Sequence, residues 1–193
     1  MTRKSCSCKF CSDSHLCAET CSLAYGEPCR VMADDAWEFI SEYLTTDEVL
    51  SMHEYLQHGS VTTLSHSVLV ARMSLAFARR YNLKVNEKDL VTGALMHDLF
   101  LYNWHDRDAV KPLHALRHPV YAAENAVEIF GVNDHVAHII RAHMWPLPPT
   151  RMPMTTEAWI VTLMDKWSAT KETVEPMVTT VQNYMPRRKK QLA

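Results

Sequence analysis

The sequence predicts an all-α fold. Apolar residues recur at helical spacing from residue 34 onward, no stretch alternates apolar and polar residues as a strand would, and proline, glycine and capping residues mark short breaks. The chain has 193 residues, of which 47% are hydrophobic and 22% are charged, so it can form one sizeable core. This composition excludes a disordered chain, because such chains lack apolar residues.

Capping residues and helix breakers place the predicted helices in chain order. Asp34 or Asp35 caps a helix that ends near Leu44, and Thr46 begins another that Gly59 ends. Further helices are predicted over residues 61–81, 86–98, 118–130, 134–144 and 155–171, followed by a last helix or extended tail that ends at residue 186. Residues 100–114 are predicted to form a polar and aromatic loop. Residues 145–153 contain four prolines and are also predicted to be a loop.

Residues 1–30 differ from the rest because they contain all six cysteines. We interpret them as a Cys-rich N-terminal extension on a helical domain over residues 31–193. The first five cysteines are close enough in sequence to chelate a metal ion together: Cys6, Cys8, Cys11, Cys17 and Cys21. Zinc is the ion that clustered thiolates are expected to bind. Their spacing fits no zinc-ribbon or ferredoxin pattern. The alternative is an unstructured tail with reduced thiols.

Charge and segment composition exclude several classes of function. The formal net charge of −2 does not indicate a nucleic-acid-binding surface. The basic residues 187–190 are expected to be exposed to solvent at the C-terminus and not to form a binding patch. No apolar run is long enough for a membrane span and no secretory apolar segment is seen, so a cytoplasmic location is expected. Only four glycines are present, without a GxGxxG or Walker pattern, so any phosphate must be bound by metals and side chains.

Eleven histidines are the unusual part of the composition. Five predicted helices each direct ionisable residues at the core on the same face as apolar residues: His66, His97, Asp98, His118, His143 and Asp165. A buried, unpaired carboxylate costs several kcal/mol as an order of magnitude, and a divalent cation can offset that cost. His138 falls opposite Ile140 and is predicted to be exposed. His53 and His58 are predicted to be structural, and His135 lies on a flank.

The order of these residues resembles the H…HD…D signature of the HD superfamily of metal-dependent phosphohydrolases. His66 is followed by His97-Asp98 in GALMHDLF and by Asp165 in VTLMDKWSA. The resemblance covers about residues 60–172 and implies an HD-domain helical bundle with that core. Residues 101–105 (LYNWH) and 143–147 (HMWPL) resemble a group of uncharacterised bacterial HD proteins that carry LYxWH and HMWPL.

The resemblance also implies a dinuclear metal site, because His118 and His143 match the two-metal members of the superfamily. His66, His97, Asp98 and Asp165 would bind the first ion. Asp98 would bridge to a second ion, which His118 and His143 complete. We expect two divalent ions, iron or manganese first, with zinc, nickel or cobalt also compatible. A water that bridges the ions would become the attacking hydroxide.

Several residues near these motifs are candidates for substrate binding and proton transfer. Lys166 resembles the DK pair of several HD hydrolases and is a catalytic candidate, as is His114, which could donate a proton to a leaving oxygen. Candidates for phosphate binding are Lys111, Arg117 and Arg151. His105 is a weaker proton donor candidate than His114. Three aromatic residues could stack on a base or merely pack in loops: Tyr102, Trp104 and Trp145.

The predicted function is hydrolysis of a phosphate ester or anhydride in a small nucleotide-like substrate. Two alternatives stay open at this point. Some HD proteins place the same six ligands around two irons and act as oxygenases, and a non-catalytic HD domain could serve as a sensing module. The sequence does not identify the substrate, the metal or the oligomeric state.

Overall fold

The computed structural model describes residues 36–58, 61–103 and 113–184. Within them the fold is all-α, as predicted, with one short two-stranded sheet. The elements, in chain order, are α1 (Trp37–Ile40), α2 (Asp47–Ser51), β1 (Leu56–His58), β2 (Val61–Thr62), α3 (Thr63–Arg80), α4 (Glu87–Met96), α5 (His114–Phe130), α6 (Asp134–Ala142) and α7 (Thr156–Tyr184). The Cys-rich extension, Trp104, His105, Lys111 and the basic tail lie outside the described residues.

Three helices begin at residues whose side chains bind the exposed N–H groups of the first turn. Thr62 accepts from the Ser65 N–H at 3.3 Å at the start of α3. Asn86 at α4 and Asn133 at α6 do the same, within one residue of the predicted starts at 86 and 134. Helix α3 begins two residues after the predicted start at 61, because Val61 and Thr62 form β2. Helix α5 ends at Gly131, whose φ of 63° is the left-handed conformation that favours glycine.

Helix α4 lies at the centre of the bundle. It packs against α3, α6 and α7, and α5 packs on α6. Every residue from Leu90 to Phe100 is buried, so α4 has no solvent-facing side after its first turn. At Gly93, an added Cβ would lie 2.7 Å from Cγ2 of Ile139, which shows how closely α4 and α6 approach. The ends of these two helices therefore meet inside the molecule.

The predicted helix from Thr46 to Gly59 is wrong in its second half. Helix α2 ends at Ser51, a 3₁₀ turn covers Met52–Glu54, and an antiparallel hairpin of β1 and β2 follows. Both the N–H and the hydroxyl of Thr63 donate to the carbonyl of Tyr55, at 2.8 and 3.1 Å. These contacts join residues eight positions apart, and a search for helical periodicity does not detect them.

Three other boundaries also differ. The first predicted helix, which was expected to end near Leu44, is divided in two. Helix α1 ends at Ile40, and a separate 3₁₀ turn covers Tyr43–Thr45. Helix α5 begins four residues before the predicted start, because Leu113 adopts a left-handed φ of 56° and its carbonyl accepts the first helical hydrogen bonds. Helix α7 continues through Tyr184 as one helix.

No helix in the described ranges is both long enough and apolar enough to cross a membrane.

Candidate metal centre

The six predicted ligands come together in the interior, at the meeting point of five helices. His66 lies near the start of α3, His97 and Asp98 directly follow α4, His118 lies in α5, His143 directly follows α6, and Asp165 lies in α7. All six are buried. The least buried are His118 and Asp165, at 6% and 7% exposure.

Their ligand atoms form two groups that share one carboxylate. The first donor group is His66, His97 and Asp98, and the second donor group is Asp98, His118 and His143. Within each group, one ligand atom per residue lies within 4.8 Å of the others. Oδ1 of Asp165 extends the first donor group, at 3.0 Å from Nε2 of His66 and 3.6 Å from Nε2 of His97. The arrangement could hold two metal ions, bridged by Asp98.

The helix ends orient the imidazole rings. In three of the four histidines Nδ1 donates to a backbone carbonyl three or four residues earlier: His97 to Ala94 at 2.8 Å, His118 to His114 at 3.1 Å and His143 to Ile140 at 2.8 Å. A carbonyl can only accept, so Nδ1 carries a hydrogen and Nε2 is the atom that faces the cluster and is available to a metal. Histidine ligands of metals are usually fixed in this way.

The cluster contains polar atoms that make no well-directed hydrogen bond. Nε2 of His97 and Oδ1 of Asp98 are buried and form no hydrogen bond among the described residues, although the former lies 3.2 Å from Oδ2 of Asp98 and the latter 3.2 Å from Nε2 of His118. Nε2 of His118 lies 3.0 Å from Nε2 of His143, although both rings already donate through Nδ1. Two lone pairs at that distance repel unless a proton or a cation lies between them. The donor set therefore fits divalent cations, which bind imidazole and carboxylate together.

Electrostatics keep most of these ligands in the forms that bind metals. Burial raises the pKa of Asp98, but His97 and His118 outweigh it and hold this pKa well below its usual range. Burial and the neighbouring His97 lower the pKa of His143 to about 3, so its imidazole is neutral. His66 and His97 differ. Burial lowers the pKa of His66, yet hydrogen bonds with Asp165 and Glu172 raise it to about 9. Burial also lowers the pKa of His97, but Asp98 and Asp165 outweigh it and hold this pKa well above its usual value. A metal at either histidine must therefore displace a proton.

Two residues at the cluster were missed by the sequence reasoning. Nε2 of Gln57, in β1, donates to Oδ2 of Asp98, while Oε1 of Gln57 accepts from the Thr63 hydroxyl at 3.2 Å. A lone glutamine in an unpredicted hairpin carries no sequence signal. Glu172 accepts from Nδ1 of His66 at 3.0 Å. It follows Asp165 by seven residues and so lies on the same face of α7, which is a usable signal.

Lys166 and His114 lie beside the cluster on opposite helices. Nζ of Lys166 donates to the carbonyl of His143 at 2.9 Å, and burial lowers the pKa of this lysine. His114 stacks on His118 with ring centroids 5.0 Å apart, and its Nδ1 lies 2.7 Å from the hydroxyl of Tyr102. Both residues are thus adjacent to metal-ligand candidates, at the two least buried positions of the cluster.

The described substrate-binding candidates are less closely associated with the cluster. Arg117 is exposed and lies over the ring of Tyr121, with 5.6 Å between its Cζ and the ring centroid. Arg151 donates to the carbonyl of Leu116 at 3.0 Å and lines a cavity of about 290 Å³. None of the six cluster residues lines that cavity. Trp145 packs edge-on against Trp159, with ring centroids 5.0 Å apart.

Three further histidines, His53, His135 and His138, have structural partners. His138 is half-buried and not fully exposed as predicted, because Nε2 accepts from the N–H of Met154 at 3.0 Å. His135 lies between Asp89 at 3.0 Å and Glu157 at 3.4 Å, where the starts of three helices meet. Nδ1 of His53 lies 3.5 Å from the Thr62 hydroxyl. These contacts account for them as parts of the scaffold.

Comparison with known proteins agrees with this geometry. The family model of the HD domain matches residues 63–170, and the matched range includes all six cluster residues. No curated protein and no solved structure matches the chain. Because the family match covers more than half of the 193 residues, the chain belongs to the HD domain family, whose members are largely metal-dependent hydrolases.

Proposed function

We propose that the protein is a two-metal phosphohydrolase that cleaves a phosphate ester or anhydride of a small, nucleotide-like substrate. The observation that carries this proposal is the pair of donor groups joined by Asp98, in which Oδ1 of Asp98 and Nε2 of His97 are buried and form no hydrogen bond among the described residues. Membership of the HD domain family supports the same class of reaction.

In this proposal the first ion is held by His66, His97, Asp98 and Asp165, and the second by Asp98, His118 and His143. Iron or manganese suits this His/Asp set, and zinc, nickel or cobalt is compatible with it. When bound, such ions supply Lewis acidity to phosphoryl oxygens and lower the pKa of a bound water toward neutrality. The reaction then needs no nucleophilic serine or cysteine.

The chain's own residues orient this centre and stabilise charge. Gln57 donates to Asp98 from the hairpin, and the Thr63 hydroxyl fixes the orientation of the Gln57 amide. Lys166 has donors besides the one directed at His143, and these could bind a phosphoryl oxygen near Asp165. His114 is held by Tyr102 beside His118, at a place where it could donate a proton to the leaving oxygen.

Substrate contacts outside the metal centre are a second part of the proposal. Arg117, Arg151 and Lys111 are the cationic candidates for phosphate binding. The aromatic residue best placed to contact a base is Tyr102, because it adjoins both His114 and Tyr121. A phosphorylated small molecule with a base could contact both kinds of side chain, and the formal net charge of −2 does not favour a nucleic acid.

The test begins with metal analysis of the purified protein and its Asp98→Asn variant, followed by a phosphate-ester screen. We expect about two equivalents of metal in the wild type, fewer in Asp98→Asn, and phosphate release that requires the metal. His138→Ala is the matched control, since it should keep both metals. Oxygen uptake by the iron-loaded protein without phosphate release would replace the hydrolase by an oxygenase. Metal binding with neither activity would favour a sensing module.

A further inference from the structure

His66 is oriented differently from the other histidines of the cluster. His97 and His143 directly follow a helix, where the last carbonyls lack helical partners and can accept from Nδ1. His66 lies near the start of α3. Its Nδ1 meets a side chain instead, the carboxylate of Glu172, at 3.0 and 3.1 Å to the two oxygens.

The position of Glu172 is itself fixed. Its Oε1 accepts from the hydroxyl of Ser168 at 2.9 Å, one helical turn earlier in α7. The side chain of Glu172 is only 8% exposed, and that of His66 is fully buried. A buried carboxylate that accepts from Nδ1 increases the basicity of Nε2 on the same ring, and Nε2 is the atom that faces the cluster.

The contact also makes the two donor groups unequal in charge. The first has Asp165 as a further carboxylate and Glu172 behind His66, in addition to the shared Asp98. Among the described residues, the second consists of His118, His143 and the shared Asp98. Attraction between a divalent cation and a carboxylate is strong where water is excluded, so the first group should attract a cation more strongly.

We propose that Glu172 is a positioning residue for His66 and that, through this contact, the first donor group binds its metal more tightly than the second. The inference rests on the metal centre of the proposed function but does not depend on which reaction occurs there. Glu172 also lies beyond the residues that match the HD domain, so this would be a feature of the present chain and its long α7 helix.

The test is a Mn²⁺ titration of the metal-free full-length protein, in which free Mn²⁺ is followed by electron paramagnetic resonance. The variants are Glu172→Gln, which keeps an acceptor without the charge, and Ser168→Ala, which leaves the charge but removes its hydroxyl partner. Glu128→Gln is the control, because it removes an exposed carboxylate on α5. Circular dichroism checks that each variant is folded.

For the wild type we expect two binding steps of different affinity. Glu172→Gln should weaken the tighter step by roughly 10- to 100-fold and leave the weaker step unchanged. Ser168→Ala should weaken the tighter step by roughly fivefold, and this keeps the proposal testable if Glu172→Gln does not fold. If Glu172 only stabilised the fold, its substitution would lower the Mn²⁺ affinity of both binding steps.

Two outcomes separate this inference from the proposed function. If the wild type binds no Mn²⁺ or other divalent ion, the metal centre itself is refuted. If the wild type binds two ions and Glu172→Gln and Ser168→Ala bind them with unchanged affinity, only the role of Glu172 is overturned. Equal losses at both steps would also overturn it.

Discussion

Asp98 faces two sets of partners at once. Its Oδ2 lies 3.2 Å from Nε2 of His97, and its Oδ1 lies 3.2 Å from Nε2 of His118. Such a carboxylate is suited to bridging two cations. Because Asp98 is almost completely buried, its charge must be balanced locally, and the imidazoles or the metal ions that they bind provide this balance.

At the residue scale, a substitution of Lys166 can distinguish loss of catalysis from loss of metal binding. Lys166→Met keeps the length of the side chain but removes the charge beside Asp165. We expect two bound metals, as in the wild type, with kcat/KM for a phosphate ester reduced by roughly 10²-fold, because one charged donor to the transition state is lost. Steady-state kinetics and metal analysis together test this. Lys171→Met, an exposed lysine on the same helix, should show wild-type kinetics.

For His138→Ala we expect a small loss of stability and no loss of metal. The variant removes the acceptor of the Met154 N–H but touches none of the six ligand candidates. Loss of one hydrogen bond of this kind costs about 1 kcal/mol, which corresponds to a decrease in Tm of roughly 2–4 °C for a domain of this size. Differential scanning calorimetry measures it. Loss of metal from this variant would show that the loop after α6 supports the cluster.

At the element scale, the close approach of α4 and α6 sets the position of the two histidines that follow them. Gly93 and Ile139 are in contact, and His97 and His143 each lie four residues further along, on the same faces. The rings of His97 and His143 are 4.8 Å apart at their centroids. The spacing of these two ligands therefore depends on a glycine one turn away.

Gly93→Ala should separate the helices. Alanine favours a helix by up to about 1 kcal/mol, but its Cβ would lie 2.7 Å from Ile139, and overpacking of this kind costs about 1–3 kcal/mol. We expect lower stability in urea and weaker metal binding. Ile139→Ala in the same chain should recover part of both losses relative to the sum of the single variants. Additive effects would mean that the contact does not determine the ligand spacing.

The elements also show what the sequence can and cannot predict. Faces of apolar residues identified all five helices that carry the ligands, and capping residues placed the starts of α4, at Asn86, and of α7, at Thr155, correctly. The hairpin that carries Gln57 was missed, since its pairing depends on contacts with Thr63 and not on a local pattern. Glu172 was missed although it is seven residues from Asp165. Contacts between side chains of different helices are not visible in a single sequence.

At the scale of the whole molecule, metal removal should lower stability. A ligand that binds only the folded state at 100 times its Kd contributes about 2.7 kcal/mol, equivalent to roughly 5–10 °C in Tm here. Thermal unfolding before and after treatment with a chelator, with and without Mn²⁺ added back, measures this. In His97→Ala/Asp98→Ala protein, added Mn²⁺ should leave Tm unchanged.

The metal-free protein should also become less stable as pH rises from about 6.5 to 9. His66 has its pKa raised to about 9 when folded, against 6.5 for the free side chain. The stability from its contacts with Asp165 and Glu172 is therefore complete below pH 6.5 and is lost as His66 loses its proton. The pKa of His97 is raised as well, so it acts in the same direction.

Urea unfolding of chelator-treated protein at pH 6.5 and pH 9 tests whether stability falls as pH rises. His66→Gln should show a flatter dependence, because the histidine whose pKa is raised to about 9 is gone. A metal-free protein that becomes more stable between these pH values would contradict the assignment of the charged imidazole to the cluster.

The backbone contacts of the imidazole rings have a thermodynamic consequence. Because the Nδ1 hydrogen bonds of His97, His118 and His143 are formed to carbonyls of their own chain segments, these side chains lose their rotamer freedom when the protein folds. The ligand side chains are therefore already ordered before an ion binds, and the entropic penalty of metal binding is small. Calorimetric titration should accordingly show an entropy gain, dominated by water released from the ion.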